Sequence, residues 1–250
     1  MLKDLAFQFL LDTAMSAGNE IKNHPAGYVS INPNIQWPIF NYAILGFSEY
    51  ENGTTSDMLK QMNQMLASHN RKPSYLINVD IESLIGANLQ DLGLNAHEKH
   101  TVYFASAESV TEVAHQADII IQGAEEPSKW LELLLDGFEV PEHVRQPFRE
   151  AHSHLLGGDK RAHLFEAVID GVPAGAAMLW LQNGIAGLNT ATVKPSYRRV
   201  GVYKALYNAR VRLAKSLEAD WLATETAQPA VSSIVERCGF SEVISFKYWY

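Results

Sequence analysis

The chain has 250 residues, 47% of them hydrophobic and 19% charged, with a formal net charge of −8. This is globular composition, long enough for one large domain or two small ones, and its acidity argues against a duplex nucleic-acid binder while mildly favouring cationic substrates. A single cysteine, Cys238, excludes an internal disulfide framework and any multi-cysteine metal site.

No apolar run approaches the roughly 20 residues that cross a bilayer. The longest, 172–181, contains Pro173 and Gly175. Residues 1–11 lack a basic leading region and a cleavage site, so they read as a helix and not as a secretory signal. The expectation is a soluble, cytoplasmic protein with no membrane and no nucleic-acid partner.

In chain order, 5–17 is helical in pattern and Gly18 ends it. Residues 23–34, rich in Asn, Pro and Gly, read as loop. Residues 37–45 read as a strand with Pro38 at its start. Gly53, Thr54, Thr55 and Ser56 offer caps for a helix over 58–67, whose Met58, Met62 and Met65 suit core filling and not a metal box. A strand is expected over 73–79, then a helix over 81–92 capped by Asp80 and ended by Gly93, then a strand over 101–105.

From 106 to 157 the residues favour helices, with candidates at 109–118, 129–136 and 142–156; Pro127 and Pro141 stand near the last two starts. His115, His143, His152 and His154 fall here. His152 and His154 are two apart and do not share a helix face, so all four read as surface or pocket-rim residues and not metal ligands. Strands follow over 163–170 and 172–182, with Gly171 turning the chain. Asn183-Gly184 is a two-residue hairpin signal leading into a strand over 185–193.

The next stretch organises the rest. Between that strand and a helical pattern lies Val193-Lys194-Pro195-Ser196-Tyr197-Arg198-Arg199-Val200-Gly201-Val202-Tyr203. Val202, Ala205, Leu206, Ala209, Leu213 and Leu217 share one helix face, and Lys204, Arg210, Arg212 and Lys215 fall largely off it. The first turn of a helix carries N–H groups with no intrahelical partner, at the positive end of the dipole. A glycine there lets a phosphate approach the backbone, and two arginines add charge. Downstream, 221–226 reads as a strand, 231–238 as a helix, and Gly239-Phe240 closes it before a last strand.

Arg198-x-x-Gly201 after a strand ending Val-x-Pro, with the strand–helix–Gly-Phe run behind it, resembles the acetyl-CoA-binding motif of the GNAT acetyltransferases, the Gcn5-related N-acetyltransferase family. The family motif reads Gln/Arg-x-x-Gly-x-Gly/Ala. Arg198 and Gly201 fit it; Tyr203 stands where Gly or Ala is usual. The resemblance covers about 101–250 and is good across 188–240. It implies an α/β (α+β) acyl-CoA N-acyltransferase fold, a mixed, mostly antiparallel sheet flanked by helices, with the acetyltransferase domain at 101–250. Residues 1–100 would form an N-terminal α/β unit. Its strand, helix and Gly93-Leu94 parallel the later strand, helix and Gly239-Phe240, which suggests a degenerate tandem copy; no Arg-x-x-Gly-x-Gly/Ala turn occurs before residue 100.

By resemblance, the function is acetyl-CoA-dependent transfer of an acetyl group to a primary amine by direct attack, with acetyl-CoA as co-substrate and no metal. The turn Arg198, Arg199, Val200, Gly201, Val202 and Tyr203 would hold the pyrophosphate. Backbone N–H groups of Ala191, Thr192 and Val193 would bind the pantetheine arm, and Gln228 stands where many members carry a cofactor-contacting Asn. Glu225, a mid-strand carboxylate costly to bury without a partner, is the first candidate base, and Glu166 the second. The tyrosine that many members place four residues before the Gly-Phe glycine is Val235 here; the nearby hydroxyls are Ser232 and Ser233, Tyr203 is another candidate acid from the variant turn, and protonation by water is the alternative. The alternative function is a non-catalytic acyl-CoA-binding or regulatory module. The acceptor, a small-molecule or peptide amine, is not specified, and a homodimer is left open.

Overall fold

The computed structural model describes residues 1–24, 27–45, 55–115, 119–156, 158–188 and 190–250. The chain forms two compact units, Met1–Val102 with Glu242–Tyr250, and Tyr103–Ser241.

The first unit runs α1 (Leu2–Ser16), β1 (Glu20–His24), β2 (Gly27–Ile31), β3 (Tyr42–Leu45), α2 (Thr55–Ser68), β4 (Tyr75–Asn78) and α3 (Val79–Asp91), and begins β5 (Ala96–Ser106). Strands β1, β2 and β3 form an antiparallel meander, and β3 pairs β4 in parallel through the α2 crossover. The far side of β4 is taken by the chain's last strand, β12 (Ser241–Trp249), in antiparallel register from Phe246↔Asn78 to Trp249↔Tyr75. Met62 is fully buried with Leu59 and Leu66, and Met58 and Met65 pack on that core, as apolar gap fillers do.

Here the structure corrects three expectations. Residues 23–34 are not all loop: β1 and β2 pair across them. The strand expected over 37–45 opens with a 3₁₀ turn at Pro38–Phe40, because proline cannot donate to a ladder, and only Tyr42–Leu45 pairs as a strand. Asn78, not Asp80, caps α3, its side chain accepting from the Asp80 N–H at 3.0 Å. The cap expected at Gly53 and Thr54 lies outside the described residues.

The second unit continues with β6 (Ile120–Gly123), α4 (Pro127–Gly137), α5 (Glu142–Ala151), α6 (Ser153–Leu156), β7 (Ala162–Ile169), β8 (Val172–Gln182), β9 (Ile185–Gly187), β10 (Ala191–Val193), α7 (Val202–Ser216), β11 (Trp221–Thr226) and α8 (Pro229–Arg237). Its strand order is β11-β9-β8-β7-β6, with β10 on β8. The β6–β7, β7–β8, β8–β9 and β8–β10 pairs are antiparallel; β9–β11 is parallel. Each unit thus holds a mixed, mostly antiparallel sheet flanked by helices. In the second unit the meander β7-β8-β9, the α7 crossover and the parallel strand β11 follow the same order as β1-β2-β3, α2 and β4.

The helix expected over 109–118 does not form across the described part of that segment. Its backbone groups are claimed elsewhere. Thr111 N–H donates to Cys238 C=O, and the Asn208 side chain on α7 bonds both the N–H and the C=O of Val113 at 2.8 Å. Lys215 Nζ and Tyr207 Oη donate to the carbonyls of Val110 and Thr111. These partners satisfy main-chain groups outside any helix, so nothing drives one.

The helix expected over 142–156 is two helices, and His152 between them is buried, not surface or pocket rim. Its ring stacks on Phe148, and burial pushes its pKa down to about 4. An unfolded His titrates near 6.5, so below that pH the unfolded chain binds the extra proton. Stability is therefore full above about pH 6.5 and falls by about 3 kcal/mol as pH drops to about 4. Urea melts across that window are expected to show this slope in the parent and a flatter one in His152→Leu.

Candidate functional site

The site is built from a register fault. β8 faces β9 and β10 in turn. Between the pairs Trp180↔Gly187 and Ala177↔Ala191, β8 contributes two residues and the facing chain three. One extra residue makes a β-bulge, which turns a strand and ends its pairing. Thr190, at the bulge, has φ 49°. On the other side, the parallel β9–β11 ladder stops at Gly187↔Ala223, with a last bond from Leu188 N–H to Ala223 C=O at 2.8 Å. Past it β10 pairs β8 alone, leaving a slot between β10 and the second half of β11. The single strand expected over 185–193 is thus two strands and a bulge.

At the mouth of the slot sits the N-terminus of α7. A 3₁₀ turn at Pro195–Tyr197 leads to Arg199, at φ 68°, and Gly201, at φ 97°. Gly201 is the N-cap, and the first intrahelical bond runs from Ala205 N–H to its carbonyl. The N–H groups of the first turn therefore point outward at the positive end of a helix of 15 residues. A left-handed cap of this kind strains any side chain with a Cβ.

These parts enclose a cleft of about 700 Å³. It is lined by Ala191, Thr192, Val193, Arg198, Arg199, Gly201, Val202, Tyr203 and Gln228 from the sequence-derived set. Val200 lies instead in a shallower hollow next to it, with His115 and Lys204. Sequence reasoning missed Gly137 and Phe138 at the end of α4, Tyr197, Lys204, and Ala230, Val231 and Ile234 on α8. The α8 residues were legible as the helix after Gln228; nothing in the sequence marks Gly137.

Arg198 is tied down within the fold. Its guanidinium donates to the carbonyls of Val193 and Gly137 and to the Glu139 carboxylate at 2.7 Å. It joins the turn to the end of α4, while Arg199 and Lys204 supply further positive charge at the mouth. Gly137 is required by close approach: a Cβ there would stand 2.3 Å from Thr192 Oγ1. Gly137→Ala is expected to destabilise the fold by about 2 kcal/mol, and adding Thr192→Ala to recover most of the loss in thermal melts.

The candidate catalytic residues are not gathered at one point. Directly paired residues point to the same sheet face. Through Trp180↔Gly187 and Gly187↔Ala223, Glu225 shares a face with Trp180, while Gly175, on the other face, lies against Val202 and Leu206 of α7. Glu225 is half-buried on the half of β11 that lies past the last β9 rung, beside the slot, but it does not itself line the cleft. Glu166 shares the face of Glu225 but stands in one row with Ala176 and Thr192, two strands and so about 10 Å from β10. It does not line the cleft and is not brought to it. Tyr203 enters from the α7 side. Burial raises its phenol above the ordinary tyrosine pKa, the Arg210 guanidinium beside it pulling the other way. Cys238 is buried in the α7–α8 core.

Among the described residues no group of three or more His, Cys, Asp or Glu is placed to hold a metal ion, and no helix is long and apolar enough to cross a membrane.

Residues 128–240 match the model of the Acetyltransferase (GNAT) family. No curated protein matches the chain. Among solved structures, the chain resembles a GCN5-related N-acetyltransferase from Kribbella flavida at 12% identity and a TM-score of 0.72, covering 99% of this chain and 94% of that one. A GCN5-related N-acetyltransferase from Sphaerobacter thermophilus aligns at 11% identity and a TM-score of 0.68, over 90% and 76%. A tandem GNAT protein from the clavulanic acid biosynthesis pathway aligns at 14% identity and a TM-score of 0.58, over 95% and 86%. At such identities the likeness is one of fold. With the split strand, the Arg198–Gly201 turn and the family match coinciding in one segment, residues 128–240 belong to a GNAT acetyltransferase-family domain, in a chain with the acyl-CoA N-acyltransferase fold.

Proposed function

We propose that the protein is an acetyl-CoA-dependent N-acetyltransferase that moves an acetyl group to a primary amine by direct attack. The observation that carries this reading is the convergence of the slot, the α7 N-terminus and the α8 N-terminus on one cleft of about 700 Å³, a size within the usual range for ligand sites. The residues fit the co-substrate. First-turn N–H groups of α7, with Arg199 and Lys204, suit a pyrophosphate. Main-chain groups of Ala191 to Val193 suit an amide-bearing arm lying along the open strand edge, and they polarise a thioester carbonyl. Val202, Val231 and Ile234 give the arm an apolar wall.

In this reading the amine approaches from the face that carries Glu225, which takes its proton directly or through water. Tyr203, on the opposite side of the slot and held protonated by burial, donates to the leaving thiolate. Val235 occupies the position from which the family's usual tyrosine would act. A formal net charge of −8 favours a cationic amine, small or peptidic, as acceptor. The first unit, which repeats the meander–crossover–parallel-strand order, is a degenerate copy without the Arg-x-x-Gly turn, and we place the protein in the cytoplasm.

Calorimetry with acetyl-CoA, with free CoA alongside, tests the reading. Micromolar affinity, about −8 kcal/mol, supports it and justifies screening amines by thiol release. Val235 also motivates a second reading, a non-catalytic acyl-CoA-binding module; turnover with any amine eliminates it.

A further inference from the structure

Outside the cleft, a hollow of about 310 Å³ opens beside the Arg198–Gly201 turn. Arg199, Gly201 and Lys204 line both spaces, whereas Val200, Ala114 and His115 line the hollow and not the cleft. His115 is brought there by α7. The Asn208 side chain grips the N–H and the C=O of Val113, both at 2.8 Å, and Tyr207 Oη donates to Thr111 C=O. Lys204 and Asn208 are four apart, so they lie one above the other on the helix. The chain that leaves Val113 carries His115 over the first turn of α7, into the hollow that Lys204 lines.

The charge gathered here stands apart from the rest of the chain. Formal net charge is −8, and Arg145, Arg149, Arg161, Arg198 and Arg212 each face a carboxylate. Among the described residues Arg199 and Lys204 have no such partner, although they line one hollow together. Two like charges in one hollow repel, and an anion between them reverses the sign of the interaction. The imidazole of His115 adds an N–H donor in either protonation state. A phosphate monoester suits that set, since it brings about two negative charges and three acceptor oxygens.

We infer that the hollow seats a phosphate monoester, and that its source is the 3′-phosphate of the coenzyme. Acetyl-CoA carries such a group on its adenosine, one ribose away from the pyrophosphate that the neighbouring turn would hold. The walls that cleft and hollow share, Arg199, Gly201 and Lys204, set the two phosphate positions side by side. This rests on the reading of the cleft as an acyl-CoA site and deepens it: the hollow selects an acyl donor with a complete adenosine end over one whose pantetheine arm is attached to a carrier protein, which has no 3′-phosphate.

Calorimetry on the full-length protein tests it, with CoA, dephospho-CoA, which lacks only the 3′-phosphate, and inorganic phosphate as probes. Dephospho-CoA is expected to bind the parent about 30-fold more weakly than CoA. In the double variant Lys204→Met with His115→Ala the ratio should fall to about threefold, while Lys204→Arg, which keeps the charge, should retain most of it. Neither residue is buried, so the variants are expected to melt with the parent. Equal affinity for CoA and dephospho-CoA in the parent overturns the inference and leaves the acyl-CoA reading standing. So does a ratio that the double variant leaves unchanged while both affinities drop together, since Lys204 would then serve the pyrophosphate alone. Equal affinities with tight binding of inorganic phosphate assign the hollow to free phosphate and overturn its link to the coenzyme. Binding of neither nucleotide sinks the acyl-CoA reading and the inference with it.

Discussion

Gly201→Glu is expected to weaken acetyl-CoA binding by at least about 100-fold, or about 2.7 kcal/mol, in a protein that still folds. Two effects combine. Gly201 has φ 97° and caps α7, so any side chain there carries strain of about 1–3 kcal/mol. The glutamate also sets a negative charge among the first-turn N–H groups, where a phosphate would lie, and like charges repel most where water is thinned out. Gly201→Ala separates the terms, since it has the strain without the charge; a loss of about tenfold or less is expected. Calorimetry with acetyl-CoA, paired with thermal melts, reads both variants. Undiminished affinity in a folded glutamate variant would remove the α7 N-terminus from the binding site and leave the cleft without its anion-binding end.

Glu225→Gln is expected to lower turnover by about 100- to 1000-fold while changing acetyl-CoA affinity by less than about threefold. The substitution keeps shape and hydrogen-bonding reach and removes only the base. Glu225 lies on β11 beside the slot, on the face opposite α7, so its loss should be felt in the amine half of the reaction. Glu166→Gln is the contrast: two strands from β10 and outside the cleft, it should leave turnover within about twofold. Tyr203→Phe should cost about tenfold, because a thiolate is a fair leaving group without assistance. A full-rate Glu225→Gln would assign proton removal to water or to the amine's own ionisation.

Much of this molecule is legible in its sequence because local chemistry sets it. The α7 turn is one such place. Proline at 195, arginine at 198 and glycine at 201 allow few backbone paths, and the apolar spacing of Val202, Ala205 and Leu206 requires a helix on a sheet. Gln228 and the short helix behind it are read the same way, as is the Asn183-Gly184 hairpin, whose left-handed residues at φ 52° and 76° match the turn that those residues favour. These features depend on neighbours a few positions away, and so a one-dimensional reading reaches them.

What the sequence could not supply depends on partners far along the chain. The bulge between β9 and β10 exists because β8 offers two residues against three, a count visible only once the strands are paired. Arg210 reads as a solvated cation on its helix and becomes a buried one because carbonyls 22 and 32 residues upstream need a donor. Residues 110–113 carry the pattern of a helix but do not form one, and Val113 is bound instead by the Asn208 side chain, about 95 positions away. The sequence by itself determined the family resemblance, the Arg198-x-x-Gly201 turn and most helices and strands, since each rests on short-range sterics and periodicity. Only the tertiary structure decided that the β9–β11 ladder ends at Ala223, that Glu225 and not Glu166 borders the slot, and that Tyr203 and Glu225 stand on opposite sides of it. Strand register and sheet face are properties of pairs of segments, and no single segment encodes them.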